Sequence, residues 1–152
     1  MENYKNIIEE FLKTTSFKLI ELVKRGERSN ILLEVFIDKE DNFGIDEIAV
    51  VNRDLWKYLE SNNLEKGISK IIISSPGADK PLKFFWQFKK HIGRELDIKT
   101  PSGESITGTL EELTDFVKGE FRISVKEKKE IKKMNFIFGE ISEAKVKLSF
   151  KK

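Results

Sequence analysis

The sequence predicts an α+β protein: an N-terminal two-layer α/β domain in the order helix-strand-strand-helix-strand, followed by a small all-β barrel. Three observations carry this. Apolar residues recur at helical spacing over 4–12 and 45–60, with β-rich runs around them. After Gly93 five short β-like runs follow one another with close turns and no helix between them. Between the halves lies 74–94, a stretch broken by Pro76-Gly77 and loaded with aromatic residues.

Taken in order, Tyr4, Ile7, Ile8, Phe11 and Leu12 form the apolar face of a first helix, which Thr14, Thr15 and Ser16 end. Residues 17–25 alternate as a strand, 26–30 are a polar turn, and 31–38 are a second strand with Leu33, Val35 and Ile37 on one side. A hairpin is the simplest pairing. After a charged loop, 45–60 form a helix with Ile45, Ile48, Ala49, Leu55, Trp56 and Leu59 on one face. Gly44 stands at its start, and Asp46 and Glu47 suit the positive end of the helix dipole. Residues 69–75 are a third strand, and the unbroken Ile71-Ile72-Ile73 predicts burial on both faces, as in a central strand.

Pro76-Gly77 breaks that strand, since proline fixes φ and glycine permits positive φ. Asp79 and Lys80 precede Pro81, which suits the first turn of a helix. That short helix carries Phe84, Phe85, Trp86 and Phe88 and stops at Gly93. The four rings cannot all face one way. Strands are then expected at 94–100, 104–113, 117–126, 131–138 and 144–150. The change of grain near His91–Gly93 sets the expected domains at 1–91 and 92–152.

The chain has 152 residues, 39% apolar and 36% charged, enough for a core beneath a heavily charged surface. It has no cysteine, which excludes disulfide scaffolds and Cys-based zinc sites and fits a reducing compartment. With no signal-peptide pattern and no apolar run long enough to span a bilayer, a cytoplasmic protein without membrane contact is expected. Net charge is +2, yet residues 116–152 hold eleven Lys/Arg against five Asp/Glu, a surplus of six. Such a local field attracts polyanions, although a solvated lysine-rich face looks the same in sequence.

Catalysis is not expected. The one histidine, His91, sits at a helix end where the dipole favours it, and Ser74 and Ser75 lack the glycines of a nucleophile elbow. There is no phosphate-binding loop, no dinucleotide fingerprint and no metal-ligand spacing, so neither cofactor nor metal is expected. The pairs Asp46-Glu47 and Glu111-Glu112 are adjacent and read as lying on different faces, which does not suit paired acid–base work. The Gly-x-x-Gly loop of KH domains and the aromatic signatures of RRM strands are missing. What remains is general: Lys80, Lys83, Lys89, Lys90 and Arg94 gather around the turn and its aromatic helix as candidate phosphate contacts.

Ser74-Ser75-Pro76-Gly77, Asp79, Pro81-Leu82, Phe88 and Ile92-Gly93-Arg94-Glu95 resemble the central signature of the bacterial ribosome maturation factor RimP family. Phe17–Val23, Leu33–Lys39, Ile45-Asp46-Glu47, Val51-Asn52-Arg53, the Thr107-Gly108-Thr109-Leu110 turn, and Ile141 with Ala144 are similar to further family segments in the same order. The chain departs from the pattern at Lys80, where the family has arginine, at Ile72, where glutamate is frequent, and at Gly44, where threonine or serine caps the helix. Lysine keeps the charge of arginine but not its planar fork.

The resemblance implies an N-terminal α/β domain and an SH3-like or Sm-like barrel. It implies a non-catalytic, monomeric factor assisting assembly of the small (30S) ribosomal subunit. The implied partners are 16S ribosomal RNA and ribosomal protein number twelve of that subunit. On this reading Lys80, Lys83, Lys89, Lys90 and Arg94 meet RNA, and Glu111, Glu112 and Asp115 complement the basic ribosomal protein. Ser74, Ser75, Pro76, Gly77, Asp79 and Pro81 shape the turn. The alternatives are a general RNA-binding or RNA-chaperone module, and an adaptor in which the turn only joins two domains.

Overall fold

The computed structural model describes residues 3–77 and 80–147. The chain divides into two compact units, Met1–Pro76 and Gly77–Lys152. The first holds α1 (Tyr4–Leu12), β1 (Lys18–Arg25), β2 (Ile31–Asp38), α2 (Ile45–Ser61) and β3 (Ile68–Ser74), in the expected order. Asn3 caps α1 by accepting the Asn6 N–H at 3.1 Å. At the other end the hydroxyls of Thr14 and Thr15 donate to the carbonyls of Phe11 and Leu12, both at 2.8 Å. Side-chain hydroxyls thus satisfy two of the last carbonyls and stop the helix.

The sheet order is β1-β2-β3. β1 and β2 form the expected antiparallel hairpin, with a bulge at Ile20, and β3 lies parallel to β2. A parallel pair needs a crossover, and α2 supplies it. Ile31, Leu33, Val35 and Ile37 of β2 share one core with Tyr4, Ile8, Phe11 and Leu12 of α1 and Val51, Leu55 and Leu59 of α2. Both helices therefore cover the same face of the sheet. The Asn52 side chain donates to the Ile71 carbonyl at 3.4 Å, tying α2 to β3.

Two sequence expectations change here. β2, not β3, is the central strand, and Ile72 is 37% exposed on the outer face of an edge strand. The register slips beside Ser69, which puts Ile68 on the core face with Ile71 and Ile73, while Ile72 faces outward by strand alternation. Ile45 is also outside the core at 81% exposure, because α2 buries Val51, Leu55 and Leu59 instead.

The second unit holds a 3-10 helix (Phe85–His91), then β4 (Glu95–Lys99), β5 (Ser105–Asp115), β6 (Glu120–Glu127), β7 (Glu130–Ile137), a 3-10 turn (Phe138–Glu140) and β8 (Glu143–Val146). A strand forms at each of the five expected stretches, although residues 148–150 of the last lie outside the described residues. The strands pair antiparallel in the order β7-β6-β5-β4-β8. No ladder joins β7 to β8 among the described residues, so the sheet is open there. Gly108 lies mid-strand in β5, paired with Leu96, and not in a turn as its motif suggested. A Cβ at Gly108 would stand 2.8 Å from the Ser124 carbonyl, so only glycine lets β5 and β6 approach this closely.

The division falls between Pro76 and Gly77, fifteen residues before the one expected after His91. The reason is Phe88. It is fully buried, and with Leu82 it belongs to the core of Leu96, Ile98, Leu110, Phe121 and Ile123. The aromatic helix is helical in grain but packs on the second sheet.

Candidate functional site

Three groups of candidate residues can be followed in the structure. The turn comes first. Ser74 ends β3 opposite Phe36, Ser75 is exposed, and Gly77 has φ +76°. Asp79 lies outside the described residues. Pro81 does not start a helix: the 3-10 helix begins four residues later, at Phe85. Instead the Leu82 N–H donates to the Ala144 carbonyl at 2.7 Å, so this segment extends along β8.

What starts the helix is a residue that the turn signals did not reveal. Gln87 is 1% exposed, and its Oε1 accepts the backbone N–H of Lys83 at 2.8 Å and of Phe84 at 2.9 Å. A buried side-chain carbonyl thus satisfies two backbone donors at the helix start, where Phe84 itself has no capping oxygen. The helix ends as Gly93 takes φ +95°, a conformation that favours glycine, while its N–H donates to the Leu110 carbonyl at 2.7 Å. The Arg94 carbonyl then accepts the Leu110 N–H at 2.9 Å, so both ends of the stretch are anchored to the second sheet.

The four rings separate as their spacing demands. Phe88 lies 4.9 Å from Phe121 and 5.3 Å from Phe138, inside the core. Phe85 joins it at 5.3 Å and reaches outward to Phe116 at 5.4 Å. Phe84 and Trp86 turn the other way, stacked at 6.0 Å between centroids and 8° from parallel. Phe84 is 37% exposed and Trp86 is half-buried. Lys83 Nζ stands 5.9 Å from the Phe84 ring centroid. Lys83, Lys89 and Arg94 are exposed, while Lys80 and Lys90 are half-buried. Rings and cations of this short segment are therefore presented together.

The acidic candidates behave differently. A bulge in β5 falls at Glu111, between Leu110 and Glu112. It brings adjacent glutamates to one cation, against the expectation that they point apart: Arg122 pairs with Glu111 at 3.4 Å and, more closely, with Glu112. Lys133 of β7 also meets Glu111 at 3.2 Å. Hydrogen bonding from Lys133, then from Ser124 and Arg122, holds the Glu111 carboxyl below the ordinary glutamate range. Asp115 is an internal turn residue, its Oδ1 accepting the N–H groups of Val117 and Lys118, both at 3.1 Å. Arg122 and Lys133, unsingled in sequence, are thus the partners of two of the three acidic candidates.

A charged cluster in the first unit also escaped the sequence. Lys39 Nζ meets Glu47 Oε1 at 2.6 Å and stands 4.8 Å from the Phe17 ring, which packs edge-on against Phe43 at 4.9 Å. It pins the loop between β2 and α2. The Lys39 hydrogen bond and charge lower the Glu47 pKa.

The first unit is a two-layer α+β domain built on a β-α-β crossover, and no described helix is long and apolar enough to cross a membrane. Residues 7–79 match the family model of the RimP N-terminal domain. The first unit therefore matches the N-terminal domain of the RimP family, a family of ribosome maturation factors.

Proposed function

We propose that this chain assists assembly of the small ribosomal subunit in the cytoplasm, as a binding protein without catalysis. The observation that carries the proposal is the RimP N-terminal domain over residues 7–79. In this reading the segment 80–94 meets phosphates of 16S ribosomal RNA through Lys80, Lys83, Lys89, Lys90 and Arg94. The five-stranded second unit acts as a small SH3-like or Sm-like barrel that receives ribosomal protein number twelve. Glu111 and Glu112 serve there as acidic contacts, exchanging Arg122 and Lys133 for cations of the partner. Asp115 acts indirectly, by fixing the β5–β6 turn.

Sedimentation with purified small subunits tests this. Co-migration at low salt, stronger with assembly-arrested than with mature subunits, is the expected result. Protein that ignores both the subunits and the isolated ribosomal protein overturns it. The cation surplus over 116–152 favours a second reading, general RNA binding. That reading requires a steep salt dependence with no preference for the ribosomal protein.

A further inference from the structure

We infer that Phe84 and Trp86 form a stacking platform for an unpaired RNA base, framed by the lysines of the same segment. The inference rests on the RNA contact proposed above and deepens it from charge to base recognition. From Lys80 to Arg94 the chain carries five Lys/Arg and no Asp/Glu. Such a segment attracts the phosphate backbone of any nucleic acid, paired or not. The rings add what charge cannot. Phe84 and Trp86 lie nearly parallel, 8° apart, and Phe84 as a residue is 37% exposed.

Packing does not require this exposure. Phe85 and Phe88, on the same short helix, supply the aromatic contacts to the core. The Gln87 clamp on the Lys83 and Phe84 N–H groups holds the platform's backbone in place, so little ordering remains to be done on binding. Aromatic faces bind bases of any identity, and only where the base is unstacked from a helix. Lys83 Nζ lies over the Phe84 ring on a flexible stem, so it can swing aside for an incoming base and follow the neighbouring phosphate. The chemistry selected is a single-stranded, sequence-tolerant RNA segment. An acidic protein segment would be drawn by the positive charge but would leave the paired flat rings unused.

The full-length protein is titrated with a labelled oligouridylate and with a duplex RNA of equal length, alongside small-subunit sedimentation. The wild type is expected to prefer the single strand. Phe84→Ala is expected to weaken oligouridylate binding about tenfold, to leave the salt slope unchanged and to spare duplex binding. Phe84→Trp restores the preference, which separates lost stacking from a damaged fold. Joint reversal of Lys83 and Lys89 to Glu weakens both RNAs and flattens the salt slope. The inference is overturned if Phe84→Ala binds oligouridylate like wild type, if it loses both RNAs equally, or if only ribosomal-protein binding suffers. A wild type that ignores small subunits sinks the assembly role. A wild type that binds them, with Phe84→Ala binding oligouridylate unchanged, sinks the platform alone.

Discussion

Gln87 holds Phe84 from behind: its buried Oε1 accepts the Phe84 N–H at 2.9 Å while the Phe84 ring faces outward, stacked on Trp86. Removing that oxygen leaves two partly buried N–H groups, of Lys83 and Phe84, without their acceptor. Gln87→Leu, nearly equal in size, should cost about 1–3 kcal/mol in urea unfolding of the second unit. Equal stability of wild type and the leucine variant would show that the clamp contributes nothing.

Gly108 should tolerate no side chain. Alanine there meets the Ser124 carbonyl at 2.8 Å, and a backbone atom cannot step aside as a side-chain tip can. Gly108→Ala is expected to destabilise the second unit by about 1–3 kcal/mol, with the loss seen as faster amide exchange along β5 and β6.

The β6–β7 hairpin turns at Lys128 with φ +54°, a left-handed conformation that costs a side-chain-bearing residue energy. Lys128→Gly should therefore raise the melting temperature slightly, by a stabilisation of up to about 1 kcal/mol. A lower melting temperature would mean that the glycine's added freedom in the unfolded chain outweighs the relieved strain.

The charged face of β5–β7 has a signed pH dependence. Glu111 is held below its ordinary pKa, so its folded-state value lies under its unfolded one. Its contribution to stability is full above the unfolded value and fades as pH falls through the folded value. Carboxyl NMR should place the Glu111 midpoint below that of an unperturbed glutamate. Lys133→Ala should move the midpoint upward, because the Lys133 hydrogen bond is the largest cause of the shift. An unmoved midpoint would assign the effect elsewhere.

Much of this fold was legible in the residues. Element order in the first unit, the β1–β2 hairpin and all five later strands follow from periodicity and turn residues. The failures share a cause: each needed a partner distant in sequence. Ile72 reads as core until the sheet proves to be covered by helices on one face only, which leaves the alternate residue of this edge strand outside. Glu111 and Glu112 read as diverging until a bulge brings both to Arg122. Phe88 reads as the close of a helical half until Phe121 and Phe138 claim it. In the candidate site the cations were visible at once as residue types. The division of four rings into two packed on the core and two stacked apart from it, and the role of Gln87, depend on which sheet the helix meets.

The position of Phe88 also dictates where this protein can be cut. A fragment beginning at Ile92, at the visible change of grain, would leave behind Phe85 and Phe88 and the Leu82 strap on Ala144. Its sheet would keep every strand yet surround a hole the size of a phenyl ring, and the severed first part would trail a greasy aromatic end. Scission after Pro76 leaves both cores whole, so that is where separately expressed halves should begin and end.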